Sequence, residues 1–406
     1  MSAALPPPTV ALFPWGEVIE EFLDPIGLSV QDFAGQMSGG WLFGYASALQ
    51  LGGWAPIIVA ASEQVSATTP LTHAATGTPI WIVPGRRVPA GRSAALHSLR
   101  QWRAAPLAGF EEVLRAQDCR ALLIQEYEYT RFDTLVRLAA RLRIPAYASF
   151  QGGERTFSWL ERMVRRRSLR MCAGLMIASS AERARVEATY PAHPPIASIP
   201  NPLDCGQWQA LDRQQARAQL GLPAQAFIAI NHGRIDIWRK GLDVLLQAWA
   251  QSHGDQLVII GSGQDREAFA RLLAGSAPGR VRWISDYTTD RALMRCWLSA
   301  ADVYLSASRI EGMPVAPLEA MACGLPVVAT DAQGLPDILA GGEAAGGILV
   351  PRDDPSALAA AIERLRLDPG LRQRLGQAAR RRVEHAFSVQ AVARQLTSLL
   401  PQLRRV

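Results

Sequence analysis

One stretch of the sequence combines the residue types that bind phosphate. The apolar run Phe227–Ile230 leads into Asn231–Gly241, which contains Gly233, Arg234 and Lys240. A strand that passes through a glycine turn into a helix is where α/β proteins bind phosphate, because backbone N–H groups there face the anion. Arg234 could form paired hydrogen bonds with phosphate oxygens, and Lys240 would add a mobile positive charge. The pattern therefore predicts a phosphate site.

Lys240 is the one lysine among 42 lysine and arginine residues. A lysine retained by chance could stand at any cationic position, yet this one lies in the turn where phosphate is most expected. We therefore favour a functional lysine over a surface residue without a role. The neighbouring His232 stays open between a group that lines the site and a structural one.

A second segment places two carboxylates after the apolar run Val303–Leu305. Glu311 is expected in the loop above the sheet and Glu319 about one turn into a helix, which Gly324 would end. Carboxylates accept hydrogen bonds from sugar hydroxyls, and the N–H groups of a helix start favour a diphosphate. The spacing alone is uninformative, but its glycine and proline context is specific.

The sequence does not favour a metal site. It has no Asp-x-Asp triplet, and Asp353-Asp354 is predicted to begin a helix as an N-cap. The five cysteines are scattered without a Cys-x-x-Cys pair, which favours a reducing compartment. Charge on a bound phosphate would then be balanced by Arg234 and Lys240, and we expect no metal and no cofactor.

Composition limits the class of protein. Hydrophobic residues make up 49% of the 406 residues and charged residues 19%, which excludes a disordered or fibrous chain. The net charge of +6 is shared evenly between the halves, which argues against a nucleic-acid partner. Two basic runs, 154–170 and 372–406, could contact anionic lipid or could be solvated helix faces.

Short apolar runs alternate with helical segments along the chain, as in βαβ units around parallel sheets. Seven such runs precede the proline-rich segment Ser198–Asp204 and six follow it, so that segment is expected to be a hinge. The predicted domains are 1–200 and 201–388, with a C-terminal helix in 389–406 that could cross back to the first. The uncharged stretch Phe33–Ser62 is interrupted by glycines and Pro56, which favours a buried helix and strand over a membrane span.

These segments together resemble the retaining glycosyltransferases of family 4 (glycosyl transferases group 1). The resemblance rests on His232–Asp236 with Arg239–Gly241, on the Glu311–Glu319 segment, and on Gly346–Pro351 followed by a helix. It is specific over about 195–390 and weaker over 9–195. It implies an α/β protein of the GT-B fold, with two doubly wound Rossmann-like domains facing across a cleft.

The resemblance also implies an activity: metal-independent transfer of a hexose from a UDP-, GDP- or ADP-sugar to a glycan or lipid-linked acceptor, with retention of anomeric configuration. The diphosphate would be held by Arg234 and Lys240, the ribose by Glu319 and the sugar by Glu311, with Arg234, Lys240 and Glu311 as the catalytic group. The implied donor-binding residues are Gly39, Gly40, Gln151, Gly233, Gly261, Gly263, Ser285 (within the nucleobase segment Ile284–Tyr287), Gly312, Met313, Pro314 and Glu319. No secretory signal is visible, so the expected location is cytoplasmic, with peripheral contact at the inner face of a membrane left open.

Gln151 departs from the family, which usually has a histidine at this position. Glutamine can bond a sugar hydroxyl but carries no proton or charge, so a catalytically degenerate protein that only binds nucleotide-sugars stays an alternative. Glu126, Glu128 and Arg131 could address the acceptor, although a charged loop with capping roles fits them equally. A basic amphipathic helix around Arg162–Arg170 could lie on lipid.

Two other enzyme classes are disfavoured. A nicotinamide dehydrogenase would need a Gly-x-Gly-x-x-Gly turn after the first strand, where the sequence reads Phe13-Pro-Trp-Gly16. A pyridoxal-phosphate phosphorylase would need a lysine for a Schiff base, and the one lysine is already assigned to a diphosphate.

Overall fold

A computed structural model of the chain describes residues 6–35, 37, 41–89, 93–152, 157–275, 279–286, 288 and 290–400. The chain divides into two compact units. The first unit comprises Met1–Pro200 together with Val392–Val406, and the second unit comprises Asn201–Ala391. The first division falls within the proline-rich segment Ser198–Asp204.

The first unit contains one sheet. Its strands are β1 (Thr9–Phe13), β2 (Ala55–Ser62), β3 (Thr69–Thr72), β4 (Pro79–Pro84), β5 (Cys119–Ile124), β6 (Ala146–Ser149), β7 (Gly174–Met176) and β8 (Ile196–Ala197). They lie in the order β3-β4-β2-β1-β5-β6-β7-β8, and β3 is the antiparallel strand among them. All seven predicted apolar runs fall on strands. The sequence did not predict β3, because an edge strand with half-buried and exposed residues lacks a continuous apolar run.

The second unit contains a fully parallel sheet within its described residues. Its strands are β9 (Ile228–His232), β10 (Gln256–Ile260), β11 (Val281–Ile284), β12 (Val303–Ser306), β13 (Val327–Thr330) and β14 (Gly347–Val350). The order β11-β10-β9-β12-β13-β14 means that the chain reverses direction across the sheet between β9 and β12. Ligands of open α/β sheets bind at this switch point, beyond the carboxyl ends of the strands. The expectation of two Rossmann-like parallel sheets is confirmed.

Helices connect the strands in both units. They are α1 (Glu20–Leu23), α2 (Val30–Gly35), α3 (Trp41–Leu51), α4 (Ala94–Ala104), α5 (Leu107–Ala116), α6 (Thr130–Leu142), α7 (Trp159–Met171), α8 (Ser180–Thr189), α9 (Arg213–Leu220), α10 (Ile237–Lys240), α11 (Leu242–Gln251), α12 (Arg266–Ala274), α13 (Arg291–Ala300), α14 (Val315–Ala322), α15 (Leu335–Ile338), α16 (Pro355–Leu367), α17 (Pro369–Ala386) and α18 (Val389–Leu399). Short 3-10 helices lie at Asp24–Ile26 and Gly342–Ala345. The division between units near the C-terminus falls within α18.

The long uncharged stretch folds as a helix and a strand, as predicted. Residues Trp41–Leu51 form α3 and Ala55–Ser62 form β2, which is central in its sheet and buried along almost its whole length. None of the helices in the described residues is both long and apolar enough to cross a membrane.

The basic run on α7 is divided between core and surface. Arg165 is fully buried, where it bonds Asp133 Oδ2 at 3.0 Å and packs over the ring of Phe132. The other described arginines of this run are exposed, namely Arg162, Arg166, Arg167 and Arg170. One of the arginines predicted on the basic face is therefore structural.

Three arginines of the C-terminal basic run stabilise helix ends in the second unit. Arg372 donates to carbonyls at the end of α16, Arg380 to Ala322 O at the end of α14, and Arg382 to carbonyls at the end of α15. Cations at a helix C-terminus satisfy its free carbonyls and oppose its negative end. Part of this run is thus explained by packing.

Candidate functional site

Three glycines let backbone segments approach one another beyond β9 and β10. Gly233 and Gly261 have φ of +146° and +145°, a region that other residues rarely adopt. A Cβ atom on Gly261 would lie 1.9 Å from the carbonyl oxygen of Gly233, and one on Gly263 would lie 2.4 Å from that of Ile235. These predicted donor-binding glycines therefore allow the loops after β9 and β10 to pack closely against each other.

Lys240 is positioned by a short helix that the sequence did not resolve. Asp236 caps α10 by accepting from the N–H of Arg239 at 3.0 Å, and Lys240 is the last residue of this helix. Gly241 follows at φ +58°, and its Cβ would meet Ala307 O at 1.9 Å. The sequence placed Lys240 at the start of α11, whereas it ends α10 and the glycine turn separates the two helices.

Two of the three predicted catalytic side chains, Lys240 and Glu311, are in contact. Lys240 Nζ donates to Glu311 Oε1 at 2.6 Å, and Ser308 Oγ donates to the same oxygen at 2.6 Å. Glu311 is buried and Lys240 is half-buried. An ammonium has three N–H donors, so Lys240 retains capacity for a phosphate while it holds this carboxylate.

Arg309 links the loop after β12 to α10 by hydrogen bonds, and it was not predicted from the sequence. Its guanidinium donates to both carboxylate oxygens of Asp243, at 2.9 and 2.8 Å, and to Trp238 O at 2.8 Å. Partial burial alone would raise the pKa of Asp243, but the Arg309 hydrogen bonds outweigh it and hold that pKa below its ordinary value. The Arg309 N–H also donates to Arg239 O at 2.9 Å. No spacing rule links an arginine to carbonyls so distant along the chain.

Arg234 is exposed, and its side chain makes no hydrogen bond or ion pair with another residue in the described part of the chain. It immediately follows Gly233, whose own N–H is occupied by Ile260 O at 3.0 Å. An uncommitted guanidinium beside a glycine loop is available to an anionic ligand.

The segment from Glu311 to Pro314 is held by close backbone contacts. Gly334 has φ +84°, and a Cβ there would meet Gly312 O at 1.7 Å. Asn201 Nδ2 donates to Met313 O at 3.0 Å, and Pro314 is the N-cap of α14. Asn201 and Gly334 belong to this site although the sequence did not single them out. A polar residue beside the hinge and a glycine before Leu335-Pro336 were the available signals.

Glu319 pairs with His232. His232 Nε2 and Glu319 Oε2 are 2.7 Å apart, and Tyr304 OH donates to His232 O at 3.2 Å. β9 and β12 are parallel neighbours, so their carboxyl ends bring His232 to the helix that follows β12. His232 therefore contacts a predicted donor-binding carboxylate, and the choice between a site-lining and a structural role stays open.

Three predicted donor positions cannot be compared with this geometry. Gly39, Gly40 and Tyr287 lie outside the described residues. Ser285 follows β11, and its Oγ accepts a hydrogen bond from Arg266 Nη2 at 3.1 Å. Within the described residues, no three or more His, Cys, Asp and Glu side chains come together as a metal site.

Gln151 lies at the carboxyl end of β6 in the first unit. Its Nε2 donates to Gln125 Oε1 at 3.0 Å and to Ser149 Oγ at 2.9 Å, while its backbone N–H donates to Glu126 Oε2 at 2.9 Å. The side chain is thus tied into a local network, although it stays half-buried.

Glu126 and Glu128 are buried, with 3% and 1% of their surface exposed. Burial raises the pKa of Glu126 to about 7 against the opposing N–H donors of Glu128 and Gln151. Burial, with the charges of Glu126 and Glu182, raises the pKa of Glu128 to about 9. Arg185 compensates this cluster by donating to Glu128 Oε1 and Glu182 Oε1, each at 2.7 Å.

Arg131 belongs to a different cluster from these two carboxylates. It is buried, donates to Glu17 O and lies over the ring of Phe110. Burial lowers the pKa of Arg131 to about 10 although the carboxylates of Glu17 and Glu21 oppose the shift. The structure therefore does not bring all three predicted acceptor residues together, and their acceptor role stays a prediction.

Known proteins resemble this chain in sequence. Residues 226–368, which contain Arg234, Lys240, Glu311 and Glu319, match the family described as glycosyl transferases group 1. The chain is 32% identical over 229 residues to D-inositol 3-phosphate glycosyltransferase of Streptomyces bingchenggensis, covering 52% of this chain and 49% of that protein. It is 32% identical over 263 residues to α-maltose-1-phosphate synthase of Mycobacterium tuberculosis, covering 60% and 66%. The chain thus spans about half to two thirds of the length of these relatives.

Solved structures match over nearly the whole chain. Sucrose-phosphate synthase from Thermosynechococcus elongatus superposes with a TM-score of 0.75 at 23% identity, covering 98% of this chain and 99% of that one. HepE of Anabaena, solved in complex with UDP, superposes with a TM-score of 0.73 at 16% identity, covering 97% and 100%. Identities this low establish the fold alone. The fold is GT-B, and residues 226–368 of the chain match the group 1 glycosyltransferases.

Proposed function

We propose that the protein transfers a hexose from a nucleotide-sugar to a hydroxyl of a glycan or lipid-linked acceptor, with retention of anomeric configuration and without a metal. The observation that carries the proposal is that Lys240 bonds Glu311 and His232 bonds Glu319 beyond the neighbouring strands β9 and β12, with Arg234 exposed in the loop after β9. The HepE structures with UDP and with UDP-glucose support a nucleotide-sugar donor.

The arrangement suits a diphosphate leaving group. As the bond between the anomeric carbon and the diphosphate oxygen breaks, negative charge grows on the diphosphate, and Arg234 and Lys240 would stabilise it. The acceptor oxygen forms the new bond to the anomeric carbon, and its proton passes to the leaving diphosphate. Glu311 would receive hydrogen bonds from the sugar while Lys240 holds it. The hydrogen bonds that Lys240 and Ser308 donate to Glu311 Oε1, each at 2.6 Å, support this role for Glu311.

A donor panel tests the proposal. UDP-, GDP- and ADP-linked sugars are added singly, and the melting temperature and the release of nucleoside diphosphate are measured with a glycan or lipid extract as acceptor. We expect one nucleotide to stabilise the protein in proportion to RT ln(1 + [L]/Kd) and its sugar-linked form to release diphosphate. Stabilisation without release would instead support the protein that only binds nucleotide-sugars, which the replacement of histidine by Gln151 keeps as the second candidate. Absence of both responses would contradict the proposal.

Metal independence and retention have separate tests. Release of diphosphate should be unchanged by EDTA, and proton NMR of the first product should show the anomeric configuration of the donor. Loss of release with EDTA, restored by one divalent cation, would overturn the metal-independent mechanism. An inverted product would overturn retention.

The proposal extends to contact with an anionic membrane through α7. Trp159 and Met163 are 68% and 51% exposed on this helix, among the exposed arginines Arg162, Arg166, Arg167 and Arg170. Apolar groups that enter the lipid interface beside cations attracted to anionic headgroups are typical of helices that lie on membranes.

Sedimentation with vesicles tests this surface. Binding to phosphatidylcholine vesicles should increase when phosphatidylglycerol is included, and Trp159→Ser with Met163→Ser should reduce it. The matched control is Leu367→Ser, which removes a 68% exposed apolar side chain from the second unit. Equal loss in both variants, or binding that ignores vesicle charge, would count against α7.

A further inference from the structure

We infer that His232 is a positioning residue, which orients the carboxylate of Glu319 toward the ribose hydroxyls of the nucleotide. The inference deepens the proposed function and rests on it. It starts from one contact, His232 Nε2 to Glu319 Oε2 at 2.7 Å, between residues 87 positions apart in the chain. Neither the family match nor the relatives assign a role to His232.

The hydrogen bond fixes which ring nitrogen carries the proton. Glu319 is an acceptor when ionised, so Nε2 must donate. The other ring nitrogen of His232, Nδ1, is buried and has no hydrogen-bond partner in the part of the chain that the structure describes. A buried N–H without a partner is costly, which favours a proton on Nε2 over one on Nδ1.

The ring itself is held in place. His232 is the last residue of β9, and its ring packs edge-on against that of Tyr304, with centroids 5.4 Å apart. Tyr304 OH also donates to the backbone oxygen of His232. The imidazole therefore bonds Glu319 from a rigid strand end rather than from a flexible loop.

Glu319 retains the capacity that a ribose needs. Its side chain is 14% exposed, and the bond from His232 occupies one of its two oxygens. A carboxylate offers about four lone-pair positions, so oxygen atoms are left for two hydroxyl donors. Arg291 on α13 interacts electrostatically with Glu319. Without the His232 bond, the glutamate would have to be ordered by the ligand at a cost of roughly three- to tenfold in affinity.

The test compares ribose and deoxyribose ligands. Dissociation constants are measured by calorimetry for UDP, GDP and ADP and for their 2′-deoxy and 3′-deoxy counterparts, with wild type, His232→Leu and His232→Gln. We expect wild type to prefer the ribose form of its nucleotide. His232→Leu should weaken that form by about three- to tenfold while leaving a deoxy form nearly unchanged, so the preference shrinks. His232→Gln, which retains an N–H donor, should recover part of it.

Other results would overturn the inference. If His232→Leu weakens ribose and deoxyribose ligands equally, or if it retains the full preference, His232 does not act through Glu319. His253→Leu, at a ring 79% exposed on the second unit, is the matched control and should change no constant. A wild-type protein that binds none of the three nucleotides would overturn the proposed function together with this inference, a result distinct from either failure above.

Discussion

At the carboxyl ends of the strands, the two sheets differ in whether their polar side chains are exposed or buried. In the second unit, Arg234 is exposed and uncommitted among the described residues, and Lys240 keeps donors free beside Glu311. In the first unit, Glu126 and Glu128 are buried. Both edges stand where α/β folds bind ligands, but Arg234 of the second is open to solvent whereas Glu126 and Glu128 of the first are closed to it.

The two edges also differ in how they are built. The second unit achieves close approach through glycine backbones, with Gly241 against Ala307 O and Gly334 against Gly312 O. The first unit uses side-chain networks, in which Arg185 supplies the positive charge. Substitutions should therefore disturb geometry in one unit and charge balance in the other.

The largest effect is expected from Gly241→Ala. The new Cβ would meet Ala307 O at 1.9 Å, and the residue would also carry the strain of φ +58°. Together these should destabilise the second unit by about 3 kcal/mol, measured by denaturant unfolding. Gly221→Ala is the matched control, because φ is +64° there but nothing lies within 4 Å of the new Cβ. It should cost only about 1 kcal/mol, and equal losses would mean that the close approach is unimportant.

Lys240→Ala should come next and should act on turnover. Loss of its charge removes stabilisation of the leaving diphosphate, so we expect donor turnover to fall by about 100-fold or more with little change in melting temperature. Lys240→Arg should lose less, but measurably, because a planar guanidinium replaces a point charge. Arg364→Ala, at an exposed ion pair with Glu343, is the control. Wild-type turnover in Lys240→Ala would refute the assignment of Lys240.

Arg185→Ala should act on stability instead. The substitution leaves Glu128 and Glu182 without their nearest cation. The free energy of unfolding of the first unit should therefore fall by about 2 kcal/mol, a value reduced because Arg185 is partly exposed. Nucleoside diphosphate affinity should not change. Arg115→Ala, at an exposed pair with Glu111, should cost no more than about 0.5 kcal/mol. A weakened nucleotide affinity in Arg185→Ala would break the contrast between the two edges.

The smallest effect is a pH dependence of the first unit. The folded pKa of Glu126, about 7, and that of Glu128, about 9, both exceed the ordinary value of 4.5. Between pH 4.5 and these folded pKa values, the folded state therefore binds more protons than the unfolded state. The free energy of unfolding of the first unit falls as the pH rises through 7 toward 9. We expect the melting temperature to drop by about 5 °C over this interval.

Two variants check its origin. Glu126→Gln with Glu128→Gln should flatten the decline, since neither amide titrates. Glu187→Gln, an exposed position on α8, should leave it unchanged. A decline that persists in the double variant would place its origin elsewhere.

The sequence predicted the sheets well because a parallel strand buried on both faces is apolar throughout. All six strands of the second sheet coincide with predicted runs, whereas the antiparallel β3 carries Pro70 and alternating exposure. The short helix α10 was not predicted, because its four residues include the 62% exposed Trp238 and lack a buried face. Local sequence patterns indicate burial, and β3 and α10 have little buried surface.

Side-chain pairing was less predictable than side-chain identity. The motifs indicated Lys240, Glu311 and Glu319 as separate groups, but not that Lys240 would bond Glu311 across 71 residues or that His232 would bond Glu319. Such pairs depend on strand order, which determines which side chains are neighbours at the carboxyl edge of the sheet. In the first unit, Arg131 and Glu126 have different partners: Arg131 donates to Glu17 O, and Glu126 accepts from the N–H of Gln151.

A sole lysine within the candidate site has a practical consequence. Apart from the terminal amine, Lys240 offers the chain's one target for acylating reagents, and its nitrogen is held by Glu311 in a half-buried position. Its rate of acylation, read as the mass increment of the peptide that contains Lys240, therefore reports how exposed the Lys240 nitrogen is. A lysine-specific protease would likewise cut the unfolded polypeptide at one bond, between Lys240 and Gly241. Occupancy of the candidate site can thus be followed chemically, without introducing any label.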